Sequence, residues 1–330
     1  MYRSTWLSTQ SIQSIIVRFI IGRSSANETA TQQAAIDEET AGAGDMISLV
    51  TNVSGRVWSP LHTTFRWLQH ATSCEPYRRA RFIAKMDDDV YLHLPELSTH
   101  LQLLRHHRNV YYGMCYYTSW YPDTFRFSGT GYSLLDAQKA SSSCIHSKAS
   151  QRCRGGFPFT TGSMQLLSAE VAKLLVGSPI ATSSIERSIP LAADVRRTKP
   201  AYEDAWMGYG LFDLLPENIA VTVACIDRWR YYFDADGLKL TDTSMLVHLR
   251  HAKLAVRYHM IHNFTLLHHC PSGAKIGCHD FAVPSCPRGS SNRTAECQRR
   301  RSYYLSRYNQ TCFITPGNAS CAHRGYKLIG

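Results

Sequence analysis

Three consecutive carboxylates, Asp87-Asp88-Asp89, directly follow a short apolar run, Arg81-Phe82-Ile83-Ala84-Lys85-Met86, in a chain of 330 residues. At the end of a buried strand such a triplet repels itself and resists desolvation, so a cation is needed to make it tolerable. Alternate side chains of an extended segment point to opposite sides, which groups Asp87 with Asp89 and turns Asp88 away. Carboxylate oxygens suit Mg²⁺ or Mn²⁺, and a metal held by one or two carboxylates keeps positions open for phosphate oxygens. A solvated acidic turn is the plain alternative, but the apolar flanks Phe82 to Met86 and Val90 to Leu92 count against it.

A second acidic pair, Glu203-Asp204, precedes Ala205-Trp206-Met207-Gly208. A carboxylate buried beside an aromatic has a raised pKa and suits general-base work. A helix N-terminus whose acids answer the dipole is the equal alternative. His248 stands in Leu246-Val247-His248-Leu249, an alternating strand end, while His259 and His262 follow on an expected helix. Taken alone, a histidine is more often a packed or surface residue than a ligand. His268-His269-Cys270 with Cys278-His279 matches no standard zinc spacing, and the surrounding cysteines favour disulfides. Neither a phosphate-binding G-x-x-x-x-G-K-[ST], nor H-E-x-x-H, nor G-x-S-x-G, nor a dinucleotide fingerprint occurs.

The elements that must position these residues follow from periodicity. Ile15 to Ile21 reads as a buried strand ended by Gly22, and polar residues 24–44 as a loop and surface helix. Leu61 to Ala71 is expected to be a helix leading into the strand before the triplet, and Leu97, Leu101 and Leu104 mark the apolar face of another. Strand followed by helix, repeated, predicts a mixed α/β sheet, with the triplet at a strand's carboxyl end, where open sheets bind ligands. Gly113 to Gly156 has little periodicity and is expected to be loops forming a binding surface. A helix over Ala169 to Val176 has Ser168 as its N-cap, and Glu203 to Leu211 begins another. Residues 1–264 are expected to form the catalytic domain. Residues 265–330, rich in cysteine, are expected to be a disulfide-stapled appendage, whose own core is too small for stability.

Composition narrows the setting. With 44% hydrophobic residues the chain can bury an ordinary core. Lys plus Arg outnumber Asp plus Glu by 36 to 25, a formal charge of +11 that attracts polyanions. The basic residues are scattered, with no stripe or recognition motif, so nucleic acid is not expected as a partner. Eleven cysteines without a C-x-x-C pair, and six N-x-[ST] sequons at Asn27, Asn52, Asn263, Asn292, Asn309 and Asn318, point to an oxidising secretory lumen. Ile15 to Ile21, broken by Arg18, is far shorter than the about 20 residues of a membrane helix, so a targeting segment is expected outside this sequence.

In order, these motifs resemble the β-1,3-galactosyltransferase-type family of glycosyltransferases. Arg3-Ser4-Thr5-Trp6 is similar to the family's R-x-T-W, and Arg18-Phe19-Ile20-Ile21-Gly22 to its first strand. Lys85-Met86-Asp87-Asp88-Asp89-Val90-Tyr91 matches K-x-D-D-D-[VT]-[FY], the most diagnostic segment. Phe157-Pro158-Phe159-Thr160-Thr161-Gly162 followed by Leu167-Ser168 resembles F-P-[FY]-x-x-G with its later [VL]-[LI]-S, and Tyr202 to Gly208 resembles E-D-V-[WY]-x-G. Where the family carries D-x-Y before N-L-T-x-K-T, this chain reads Ser54-Gly55-Arg56-Val57-Trp58-Ser59-Pro60-Leu61-His62-Thr63, a departure that bears on uridine recognition and donor choice.

The resemblance implies a GT-A nucleotide-diphospho-sugar transferase fold, a mixed central sheet flanked by helices, and transfer of a hexose from a UDP-sugar with inversion. Asp89 with Asp87 would hold Mn²⁺, or Mg²⁺, against the UDP pyrophosphate, and His248 would complete the metal site. Arg3 and Asp88 would support the donor, and Asp204 would deprotonate the acceptor hydroxyl. The implied donor sugar is galactose or an N-acetylhexosamine, and the acceptor a glycan on a glycoprotein or glycolipid. The setting would be the lumenal face of the Golgi membrane, reached through an N-terminal anchor and stem that this sequence does not include. A non-catalytic glycan-binding protein of the same fold is the alternative.

Overall fold

A computed structural model of the chain describes residues 14–23, 29–51, 53, 58–131, 136, 144, 153–193, 202–216, 218–226, 231–233, 239–240, 245–249, 275–280, 308–315 and 326–327. Arg3, residues 54–57, His259, His262 and His268 to Cys270 lie outside these described residues. In chain order the elements are β1 (Phe19–Arg23), α1 (Ala30–Ala43), β2 (Met46–Val50), α2 (Ser59–Ser73), β3 (Phe82–Lys85), β4 (Val90–Leu92), α3 (Leu94–Leu104), β5 (Val110–Tyr121), β6 (Arg126–Gly131) and β7 (Arg154–Ser168). Then come α4 (Ala169–Gly177), α5 (Pro179–Ala193), α6 (Glu203–Tyr209) with a π-helical turn over Gly210–Leu214, β8 (Val221–Ile226), β9 (Tyr231–Phe233), β10 (Lys239–Leu240), β11 (Leu246–His248), β12 (Lys275–Asp280), β13 (Tyr308–Thr315) and β14 (Tyr326–Lys327).

The expected mixed sheet flanked by helices is present. Its strand order is β12-β13-β8-β5-β7-β3, with β6 paired to β5. Strands β5, β8 and β13 run parallel to their neighbours in that group, whereas β7 is antiparallel to both β5 and β3. Tyr111, Phe157, Leu167 and Val223 contribute to one core with α2, α4 and α6. Val110, Tyr112, Met164, Leu166 and Ala224 contribute to a second core with β4, α3 and β11. Both faces of the sheet are therefore buried.

That burial corrects the reading of Gly113 to Gly156 as loops. Much of it is strand, in β5, β6 and the start of β7. Residues of β5 are buried almost without a break, so no polar face remains to give a period-two signal. A disulfide between Cys115 of β5 and Cys225 of β8 joins neighbouring strands, and a second links Cys144 to Cys153. Among the described residues Cys74 is a free thiol.

The first strand is shorter than expected. It begins at Phe19 and runs through Gly22 to Arg23, paired in parallel with β2, while Ile16 is exposed. Ser168 does precede α4, but its hydroxyl makes no cap bond to that helix; it accepts instead from the Val110 N–H of β5. Within residues 265–330, β12 and β13 extend the central sheet through the β13–β8 pairing. Among the described residues no helix is long and apolar enough to cross a membrane.

Candidate active site

Strand β3 delivers the chain to a turn at Asp88-Asp89, and β4 then pairs antiparallel with β11 so that Val90 lies opposite His248. The Leu249 N–H donates to the Asp89 carbonyl at 2.7 Å, which fixes that register beside the acids. His248 Nε2 consequently sits 3.0 Å from Asp89 Oδ1. One ligand atom each from Asp87, Asp89 and His248 lies within 4.8 Å of the others. Asp89 is buried, Asp87 partly so, and Asp88 exposed. The separation of Asp88 arises from a turn rather than from the alternation of an extended segment. Two carboxylates and an imidazole form a donor set that Mn²⁺ accepts, and a buried Asp89 gains from a cation beside it.

The second acidic pair reaches the same place through Lys85. Its Nζ donates to Asp87 Oδ1 and to Glu203 Oε1, each at 2.6 Å. Burial alone would lower the ammonium's pKa, but the carboxylates of Glu203 and Asp87 outweigh it and hold the group above its ordinary value. Gly162 of β7 occupies the gap between these groups: a Cβ there would lie 2.8 Å from Asp87 Oδ2, 3.2 Å from Lys85 Nζ and 3.3 Å from Glu203 Oε1. The absence of a side chain at 162 lets the two acidic segments converge.

Asp204 is held by backbone. Its Oδ1 accepts from the Ala205 N–H at 2.7 Å and its Oδ2 from the Gly162 N–H at 3.3 Å. Desolvation, reinforced by the Glu203 charge, pushes its carboxyl up to about 7, against the opposing pull of Lys85 and the Ala205 N–H. A carboxylate poised there can take a proton near neutral pH.

The helix carrying Asp204 is fixed at both edges. Gly208 brings α6 against β7 so closely that a Cβ would fall 2.5 Å from Phe159 Cβ and 2.8 Å from the Pro158 carbonyl oxygen. Trp206 is fully buried, meets Phe65 of α2 edge-on at 5.9 Å, and donates its indole N–H to Ser184 Oγ of α5 at 3.2 Å. From β7, the Gln165 amide donates to Tyr111 Oη, to the Thr160 carbonyl and to the Asp204 carbonyl.

A cavity of about 970 Å³ opens in front of the acids, with Arg18, Phe19, Ile20 and Ile21 on its lining beside Asp87, Asp88, Asp89, Glu203 and His248. Glu203 lines it and Asp204 does not. The structure thus brings Asp87, Asp89 and His248 together and links them to the Glu203-Asp204 pair. The bridging role of Lys85 and the gap at Gly162 were missed from sequence, although both residues stand inside quoted motifs. A lysine two positions before a buried aspartate was the available signal.

A family model described as Galactosyltransferase matches residues 1–185, more than half of the chain. The matched part includes the acidic turn and Gly162; Glu203, Asp204 and His248 lie beyond it. No curated protein matches the chain.

Proposed function

The chain belongs to the galactosyltransferase family, and from that premise we propose that it is a Mn²⁺-dependent, inverting glycosyltransferase moving galactose or an N-acetylhexosamine from a UDP-sugar to a glycan hydroxyl. The convergence of Asp87, Asp89 and His248 in the wall of a cavity large enough for a nucleotide sugar carries this reading. Mn²⁺ is the proposed ion, with Mg²⁺ the substitute, and when bound it offsets negative charge on a departing diphosphate.

The protein's own residues supply the remainder. Asp87, Asp89 and His248 would hold the ion, and Asp88, exposed on the cavity wall, would support the donor. Lys85 keeps Asp87 and Glu203 in fixed relation. Asp204, outside the donor cavity, accepts the proton of the acceptor hydroxyl while that oxygen attacks the anomeric carbon from the side opposite the leaving UDP. The new glycosidic bond forms as the bond to the diphosphate oxygen breaks, and one displacement inverts the configuration. Residues 1–264 constitute the proposed catalytic domain, with 265–330 its Cys-rich extension, and Arg3 a proposed donor contact.

Six sequons and two disulfides support a lumenal setting, proposed as the Golgi, with membrane attachment through an N-terminal anchor. The acceptor is then a glycoprotein or glycolipid glycan. The test is a screen of UDP-hexoses and UDP-N-acetylhexosamines with Mn²⁺ and mixed glycan acceptors, reading the product anomer by NMR. Product with the anomeric configuration inverted from the donor is expected. Retention of configuration, or no product with any donor, overturns the reading.

A further inference from the structure

Among the described residues the exposed large apolar side chains are Ile16, Val50, Ile180 and Tyr202, so Tyr202 is the aromatic of that set. Its position is specific. It precedes α6 directly, two residues before Asp204, and its carbonyl accepts the Trp206 N–H at 3.0 Å, which fixes its backbone to the helix that carries the base. Its ring packs edge-to-face with Phe127 of β6, at 4.4 Å between centroids and 79° between planes. Phe127 in turn packs on the core beneath the sheet, opposite Trp120 of β5. Tyr202, like Asp204, lies outside the cavity that holds Asp87, Asp89 and His248.

An aromatic braced on one side by another ring has less conformational entropy to lose on binding than a free one, and its π-face attracts the positively polarised C–H groups of a pyranose ring. The phenol adds a polar edge for a neighbouring hydroxyl. We propose that Tyr202, buttressed by Phe127, is the stacking platform of the acceptor subsite and selects a saccharide ring there. This rests on the reading of the chain as a glycosyltransferase and extends it to the acceptor side. The platform orients the sugar so that one hydroxyl approaches Asp204.

The test uses the full-length protein on an array of neutral oligosaccharides in the presence of Mn²⁺ and UDP, comparing wild type with Tyr202→Ala, Tyr202→Trp, Phe127→Ala and, as a control, Ile180→Ser. Expected is binding by wild type to a subset of glycans, weakened about tenfold or more by Tyr202→Ala. Tyr202→Trp retains binding, Phe127→Ala loses a smaller part of it, and Ile180→Ser leaves it unchanged. Equal binding by wild type and Tyr202→Ala, or no oligosaccharide bound by wild type, overturns the platform. UDP release from UDP-sugars is measured separately on the wild type. Glycan binding lost with Tyr202→Ala while wild type releases no UDP leaves the platform standing and removes the transferase reading instead.

Discussion

His248 Nε2 lies 3.0 Å from Asp89 Oδ1 because β11 pairs with β4 one residue beyond the acidic turn. Two segments far apart in sequence bring a carboxylate and an imidazole together through a backbone register, which makes them a candidate cation site. If both side chains ligate the same ion, His248→Ala and Asp89→Asn each weaken Mn²⁺ binding by about tenfold or more. Asp88→Asn, on the exposed side of the turn, has a smaller effect. Titration calorimetry or manganese electron paramagnetic resonance reads the difference, and equal affinities for wild type and His248→Ala would remove the histidine from the site.

If Asp204 is the base, it sets the pH dependence. Its carboxyl is raised from 3.8 to about 7, and the base must be ionised to work. The acceptor-dependent rate therefore climbs about tenfold per pH unit below about pH 7 and levels off above it. The stability effect has the opposite sign. A carboxyl that holds its proton more tightly folded than unfolded detracts from stability as pH rises from about 4 to about 7. Asp204→Asn removes that cost, so without added metal the variant melts at a higher temperature than wild type at pH 8 and shows no gain at pH 4.

Gly208 and Gly162 answer to different neighbours. A methyl at 208 meets the Phe159 and Pro158 backbone, which cannot swing aside, so Gly208→Ala costs about 1–3 kcal/mol in chemical denaturation. At 162 the obstacles are the ends of Asp87, Lys85 and Glu203 side chains, which yield more easily. Gly162→Ala is expected to retain most of its stability and lose Mn²⁺ affinity instead. Reversed outcomes would mean that the gap at 162 is a packing feature unconnected to the site.

The buried Cys115–Cys225 bridge ties β5 to β8 across a sequence separation of 110. Replacing both cysteines by Ala destabilises the protein by about 2–5 kcal/mol, as an unfolded chain freed of so long a loop gains entropy. A melting temperature unchanged by the double substitution would show that this closure contributes nothing.

Much of the site was legible because its chemistry is local in sequence. Asp87 to Asp89 after a short apolar strand, and Glu203-Asp204 before a tryptophan and a glycine, carry their chemistry in adjacent residues. Membership of the family followed from the order of such motifs. The parts that were not legible depend on contacts at a distance. Strand β5 is covered on both faces, which erased its alternation and made Tyr, Ser and Cys look like loop. Strand β13 joins the sheet beside β8, a pairing that no local pattern in a Cys-rich tail announces. Ser168 has the right type for a cap, yet the Val110 N–H takes its hydroxyl. Lys85 reads in sequence as one more motif residue, and only the fold brings Glu203 to the other side of its ammonium.

The direct test of the central claim is UDP release from mixed UDP-sugars with a glycan acceptor, measured for wild type and Asp204→Asn, each with Mn²⁺ and with EDTA. Expected is turnover by wild type with Mn²⁺, its loss in EDTA, and a fall of about a hundredfold or more in Asp204→Asn with Mn²⁺ binding retained. Turnover that survives EDTA, or an Asp204→Asn variant as active as wild type, would contradict a metal-dependent transferase with Asp204 as its base.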